Sequence, residues 1–332
     1  MKSCVLGIEG GGTKTICAVS TLDGEVIGIG QSGTTNPNLV SETEVKDGLQ
    51  KAICEAISHR ELSIEFVCAG MAGTGTDENQ TLINKLIRQI LDLSSLRSLL
   101  SSKFNPYRNI YVCPDTVITL VAGAGKRHGI VAISGTGSIV YGETIHGQWV
   151  RVGGWGNLLD EGSGYEIGRL ALQAVMKSYD RRTNPTLLTQ MVLDTCGLDS
   201  SDKLTYYIHR KDLSPSSIAD LARVVNSAAI EGDIAARNIL EKVFDELYDS
   251  ISVAAKRLDF KNNDATLVLS GGVLTNIEMV RERIAKKVRA NISAIKTIEL
   301  CREPVKGAIQ IALEKNVDCV KQSVLKKQTK IF

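Results

Sequence analysis

The segment VLGIEGGGTKTICAVST, residues 5–21, runs from an apolar strand through a glycine–threonine loop straight into a second apolar strand. The loop nearly spells the P-loop pattern G-x-x-x-x-G-K-[ST]. Gly7 and Gly12 take the glycine positions, but Thr13 stands where the lysine belongs and Lys14 follows one place late. P-loops and dinucleotide-binding loops lead from a strand into a helix, whose N-terminus holds the phosphates. Here the chain continues as ICAVSTLDGEVIGIG, where Asp23-Gly24 between alternating apolar runs predicts a β-hairpin. No helix N-terminus is available at this loop, so phosphate binding there must rest on loop amides and hydroxyls.

The rest of the first half alternates helices and strands. Ser41 with Glu44 forms a capping box that opens an amphipathic helix to about Ser58. A strand over Ile64–Gly70 follows, then the glycine turn MAGTGT and a helix of about Asp77–Leu93. The serine-rich SSLRSLLSSK, residues 94–103, reads as an insertion or loop, and IYVCPD, 110–115, as a strand ending in an acid. This pattern is an α/β layered domain.

The opening device then returns. IVAISGTGSIVYGETIHGQWVRVGG, residues 130–154, is again strand, Gly/Thr loop, strand, turn and strand. GGWGNLLDEGSG leads into a helix at about 163–179, helical periodicity covers 186–258, and TLVLSGGVLTN is a strand with a further glycine turn. IKTIEL forms a last strand and 304–315 a last helix. The duplication recurs after roughly 120 residues, too long a period for a solenoid. Paired loops that each set glycines beside hydroxyls point to a nucleotide whose phosphates are held from two domains.

Bulk properties agree. At 332 residues the chain suits two domains on a prior of roughly 150 residues each. A net charge of +2 speaks against a nucleic-acid partner, and the basic cluster Lys326, Lys327, Lys330 reads as a solvated tail. No apolar run approaches the ~20 residues of a membrane span, and no signal-peptide core precedes the first loop, so no membrane partner and a cytoplasmic location are expected. The eight cysteines form no C-x-x-C pair and the four histidines (59, 128, 146, 209) do not cluster, so neither a zinc site nor a disulfide framework is expected.

The ordered series GIEGGGTKT, IYVCPDT, ISGTGS, GGWGNLLDEGSG, LSGGVLTN and EPVKGA resembles the actin-like sugar-kinase and chaperone ATPase superfamily. Within it the chain is similar to the N-acetylglucosamine kinase branch of the BadF/BadG/BcrA/BcrD ATPase family, from Gly7 to about Ala312. That resemblance implies an α/β fold of two ribonuclease-H-like (actin-like ATPase) domains with the active-site cleft between them. The smaller domain would be 1–124, with about 313–332 returning to it, and the larger 125–312. The implied cofactors are ATP and Mg²⁺, the implied partner a small-molecule sugar, and the implied assembly a homodimer. The implied reaction is ATP-dependent phosphorylation of N-acetylglucosamine to its 6-phosphate. Glucosamine, N-acetylmuramic acid and glucose are alternative substrates; an activator ATPase of a radical dehydratase, or a sugar-responsive regulatory ATPase, is the alternative function.

Carried over by the resemblance, Gly10, Gly11, Gly12, Thr13 and Lys14 form the first phosphate loop, Thr136 belongs to the second, and Gly271 and Gly272 lie near the adenosine. Glu9 handles magnesium through water. Asn36, Ser138, Gly154 and Asp160 hold the sugar. Asp115 is the catalytic base and also touches the sugar; a strand-end carboxylate suits that chemistry, although its type and position equally suit an N-cap for the following helix. Asp160 and Glu161 equally suit a cap for the helix near Ser163. Trp155 either stacks on the sugar face or packs beneath its loop. GNLLDEGS is one residue shorter than the family's usual spacing before D-E-G-S.

Overall fold

Residues 1–57, 62–260 and 264–328 are described in the computed structural model, with side chains as far as Asp318. His59 and the side chains of Lys326, Lys327 and Lys330 lie outside that description. The chain divides into two compact units, Met1–Arg127 with Glu303–Phe332, and His128–Arg302.

In the first unit, β1 (Lys2–Gly10), β2 (Lys14–Thr21) and β3 (Val26–Gly33) form an antiparallel meander. Gly24 supplies the left-handed φ of +94° at the predicted turn. Helix α1 (Glu42–Ile57) opens on the expected capping box: the Ser41 N–H donates to Glu44 Oε2 at 2.9 Å and the Glu44 N–H to Ser41 Oγ at 3.3 Å. β4 (Leu62–Met71), α2 (Asp77–Leu91), the short α3 (Ser94–Arg97), β5 (Ile110–Pro114) and α4 (Asp115–Ala124) follow. The sheet order is β3-β2-β1-β4-β5, with β4 parallel to both β1 and β5.

The segment 94–103 corrects the sequence reading. It is no detached insertion: Leu96 is buried in the core, and Leu99 C=O accepts from the Ile64 N–H at 2.7 Å. The leucines among its serines supply the apolar surface that draws it in.

The second unit repeats the topology. β6 (Gly129–Ser134), β7 (Ser138–Glu143) and β8 (Trp149–Gly153) form the meander. Helices α5 (Gly164–Tyr179), α6 (Leu188–Cys196), α7 (Leu204–Ile208), α8 (Pro215–Ala219), α9 (Leu221–Ile230) and α10 (Ile234–Leu258) cover it. β9 (Ala265–Ser270), α11 (Gly272–Asn276), α12 (Glu278–Asn291) and β10 (Ile295–Cys301) complete a sheet of order β10-β9-β6-β7-β8. Position for position this is the order of the first sheet.

The last helix, α13 (Val305–Gln328), extends well past residue 315 and packs on α4, β1 and β4 of the first unit. Each unit has its own core, one under β1, β4, α1 and α2, the other under β6, β9, α5 and α10. Among the described residues no helix is long and apolar enough to cross a membrane.

Candidate active site

Within the first unit, the strand ends bring Glu9, Gly10, Gly11, Gly12, Thr13 and Lys14 onto the β1–β2 hairpin, with Asp115 at the β5–α4 junction. The Gly11 N–H donates to Lys14 C=O at 2.8 Å and closes the turn, and Thr34 Oγ1 donates to Gly11 C=O at 3.0 Å. None of Gly10, Gly11 or Gly12 has positive φ. Glycine is needed at position 10 for space: a Cβ there would stand 2.7 Å from Met71 Cε and 2.9 Å from Thr35 Oγ1. At Gly12 the nearest atom to such a Cβ is 3.9 Å away, and Thr13 and Lys14 are exposed. The loop tip is therefore an open backbone cradle on a packed base, which fits a polyphosphate.

Asp115 is the first residue of α4. Pro114 occupies the N-cap position and makes no side-chain cap, while Asp115 Oδ1 accepts from the Thr116 N–H at 2.9 Å. Burial pushes its carboxyl up to about 6, against which the Thr116 N–H works. Burial likewise pushes Glu9 up to about 7; Lys14 and the Val305 N–H, 3.2 Å from Glu9 Oε2, pull it down, and the charge of Asp115 adds to the rise. Two desolvated carboxylates, with the charge of Asp115 raising Glu9, suit a dication, and Mg²⁺ needs only one or two protein carboxylates beside phosphate and water. No group of three or more His, Cys, Asp or Glu could hold a metal by itself among the described residues.

Asn36 follows β3, and its Oδ1 accepts from the Asn38 N–H at 3.0 Å. It lies against the MAGTGT turn: at Gly73, φ +84°, a Cβ would come within 2.2 Å of Asn36 Oδ1. Thr74, fully buried, donates to both Met71 C=O at 2.7 Å and Cys113 C=O at 3.0 Å, tying that turn to the strand that delivers Asp115. Sequence reasoning marked this turn only as glycine-rich; its G-T-G was the available signal for Gly73 and Thr74.

In the second unit the β6–β7 loop is closed by the Gly135 N–H donating to Gly137 C=O at 2.9 Å. The carbonyls of Gly135 and Thr136 accept from the Gly164 and Tyr165 N–H groups, docking this loop on the first turn of α5. Gly271, φ +88°, packs beside it, since a Cβ there would stand 2.3 Å from Ser134 C=O, and Gly272 starts α11. Ser138 Oγ donates to Glu161 C=O. Gly154, φ +77°, crosses Ile139.

Asp160 does not cap α5. Ser163 does, its Oγ accepting from the Glu166 N–H at 3.1 Å. Asp160 Oδ2 instead accepts from the Gly156 N–H at 2.7 Å and closes the GGWGNLLD loop on itself. Trp155 is 63% exposed, so it does not pack beneath the loop; the Arg151 guanidinium lies 3.8 Å from its ring centre. A cavity of about 180 Å³ is lined here by Ser138, Gly153, Trp155, Asp160, Glu161 and Glu246, among others.

Residues 6–312 match the model of the BadF/BadG/BcrA/BcrD ATPase family. The chain belongs to that family. It is 37% identical over 312 residues to the N-acetylmuramic acid/N-acetylglucosamine kinase of Clostridium acetobutylicum, covering 93% of this chain and 97% of that one. It is 28% identical over 326 residues to the N-acetyl-D-glucosamine kinase of Dictyostelium discoideum, covering 94% and 98%. The crystal structure of a ROK family glucokinase from Streptomyces griseus, in complex with glucose and AMPPNP, superimposes with a TM-score of 0.60. That match has 17% identity and covers 94% of this chain and 98% of the glucokinase, and it shows that this member of the BadF/BadG/BcrA/BcrD ATPase family shares the fold of that glucokinase.

Proposed function

We propose that this family member is an ATP-dependent amino-sugar kinase that phosphorylates the 6-hydroxyl of N-acetylglucosamine, with N-acetylmuramic acid as a second acceptor. The observation that carries this reading is Asp115: a carboxylate at the carboxyl end of a parallel strand, held near pH 6 by burial and aligned by the Thr116 N–H. That is the environment of a general base matched to near-neutral chemistry. The full-length likeness to two amino-sugar kinases supports the substrate class.

In this reading Asp115 accepts the proton of the sugar hydroxyl as its oxygen attacks the γ-phosphorus, and ADP leaves. The amides of Gly10, Gly11 and Gly12, with Thr13, Lys14 and Thr136, take the phosphate oxygens, and Gly271 and Gly272 border the adenosine. Asn36, Ser138, Gly154 and Asp160 orient the sugar. Glu9 would hold Mg²⁺ through water, and that ion would neutralise charge on the transferring phosphoryl group. A regulatory ATPase has no need of a base at position 115.

The test is a coupled ADP-release screen over N-acetylglucosamine, N-acetylmuramic acid, glucosamine and glucose. N-acetylglucosamine should stimulate turnover most. Thr13→Ala and Thr136→Ala should each raise the KM for ATP, by about ten-fold, while leaving the sugar preference unchanged. Turnover that no sugar stimulates would refute the kinase assignment.

A further inference from the structure

The loop carrying Asp160 is held by side chains that no sequence motif singled out. Glu166 is 2% exposed, the most deeply buried carboxylate in the vicinity. Its Oε2 accepts from the Gly162 N–H at 2.7 Å, two residues beyond Asp160. Its Oε1 accepts from Lys242 Nζ at 2.8 Å, and the same ammonium reaches Glu161 Oε1 at 3.2 Å. Lys242 comes from α10, so one cation ties the loop, the first turn of α5 and a third element. On the opposite side Ser134 Oγ donates to Gly162 C=O at 2.6 Å. Both backbone groups of Gly162 are thereby fixed, and its φ of +78° sets it tightly against Leu247, 2.9 Å from where a Cβ would be.

The charge balance makes Lys242 the keystone. Glu161, Glu166 and Glu246 gather around it, Glu246 being raised by burial and then by Glu161. The other nearby cation is Arg169, 3.7 Å from Glu166. Glu166 is the buried member and Lys242 reaches it from a half-exposed position, so removing the ammonium leaves a buried carboxylate without its partner and favours movement of the loop.

We propose that Glu166 and Lys242 are a positioning pair that sets the Gly153–Ser163 loop so that Asp160 and Ser138 meet the sugar. Neither side chain hydrogen-bonds a phosphate-loop residue, although the first turn of α5 docks the β6–β7 loop through backbone groups, so the larger effect falls on the sugar. This rests on the reading of Asp160 as a sugar contact. Glu166→Ala should raise the sugar KM about ten-fold or more, hold the ATP KM within about two-fold, and speed amide exchange at Gly162. Lys242→Met should raise the sugar KM in the same way, and Lys242→Arg, which keeps a cation, should restore it.

Equal rises in both KM values, unchanged exchange at Gly162, or a Lys242→Arg variant as impaired as Lys242→Met would each overturn the pair's role. Should Glu166→Ala not fold, the two Lys242 variants decide. The exchange measurement needs no substrate. A parent protein inert toward every sugar would therefore refute the kinase reading, while Gly162 would still report on the pair.

Discussion

Asp115→Asn should abolish sugar-stimulated ADP release, by about 10²–10⁴-fold, while making the protein harder to unfold at neutral pH. The two effects have one cause. Burial raises the carboxyl from 3.8 to about 6, so the folded protein holds this proton more tightly than the unfolded chain does. The ionised carboxylate therefore costs stability, and the cost follows from linkage. It is absent below pH 3.8, grows between there and about 6, and is constant above. Its size is at most ~3 kcal/mol, from about two units at 1.36 kcal/mol each. Asparagine removes the charge and can still accept from the Thr116 N–H. Thermal scans at pH 7.5 and pH 3.5 should show the variant ahead at the first and level at the second. In the parent, kcat/KM for the sugar should rise with pH through a limb near 6. A variant that kept activity, or a melting point that fell at pH 7.5, would remove Asp115 from the role of a desolvated general base.

Gly307→Ala should destabilise the first unit by about 2–4 kcal/mol, with a matching fall in the urea midpoint. Elsewhere the sign would be the opposite, since glycine to alanine inside a helix normally gains about 1 kcal/mol. Here α13 crosses α4 so closely that a Cβ at 307 would stand 1.9 Å from Ile118 C=O and 2.7 Å from the Ala122 N–H. Both are backbone atoms, so neither can swing away, and the helices must separate. Helix α4 begins at Asp115, so the displacement should also lower kcat. A variant more stable than the parent would show that helix propensity outweighs the crossing.

The strand–loop–strand devices, the Asp23-Gly24 turn and the Ser41–Glu44 box were legible because each is decided within a few residues. The segment 94–103 reads as an insertion or loop from its serines; residues 98–103 are mostly turn, but Ser94–Arg97 is helical and buries Leu96, which depends on what lies beneath it. At position 160 the residue type suited two local uses, a helix cap or a sugar contact. The cap falls to Ser163, and Asp160 closes its own loop by accepting from the Gly156 N–H through Oδ2. Trp155 faces solvent with Arg151 over its ring, an arrangement that neither sequence alternative described.

The sequence by itself determined that phosphates could not be held here by a helix N-terminus. It also determined that the chain repeats one hairpin-led α/β unit, and to which ATPase family it belongs. Those conclusions rest on short-range patterning and motif order, which survive without knowledge of packing. Only the tertiary structure decided which glycines are needed for space, how far burial lifts Glu9 and Asp115, and that Glu166 and Lys242 grip the Asp160 loop. Such contacts join residues far apart in the chain, Gly307 with Ile118 and Lys242 with Glu161 among them. Their energies depend on desolvation and close approach, which exist only once the elements have packed.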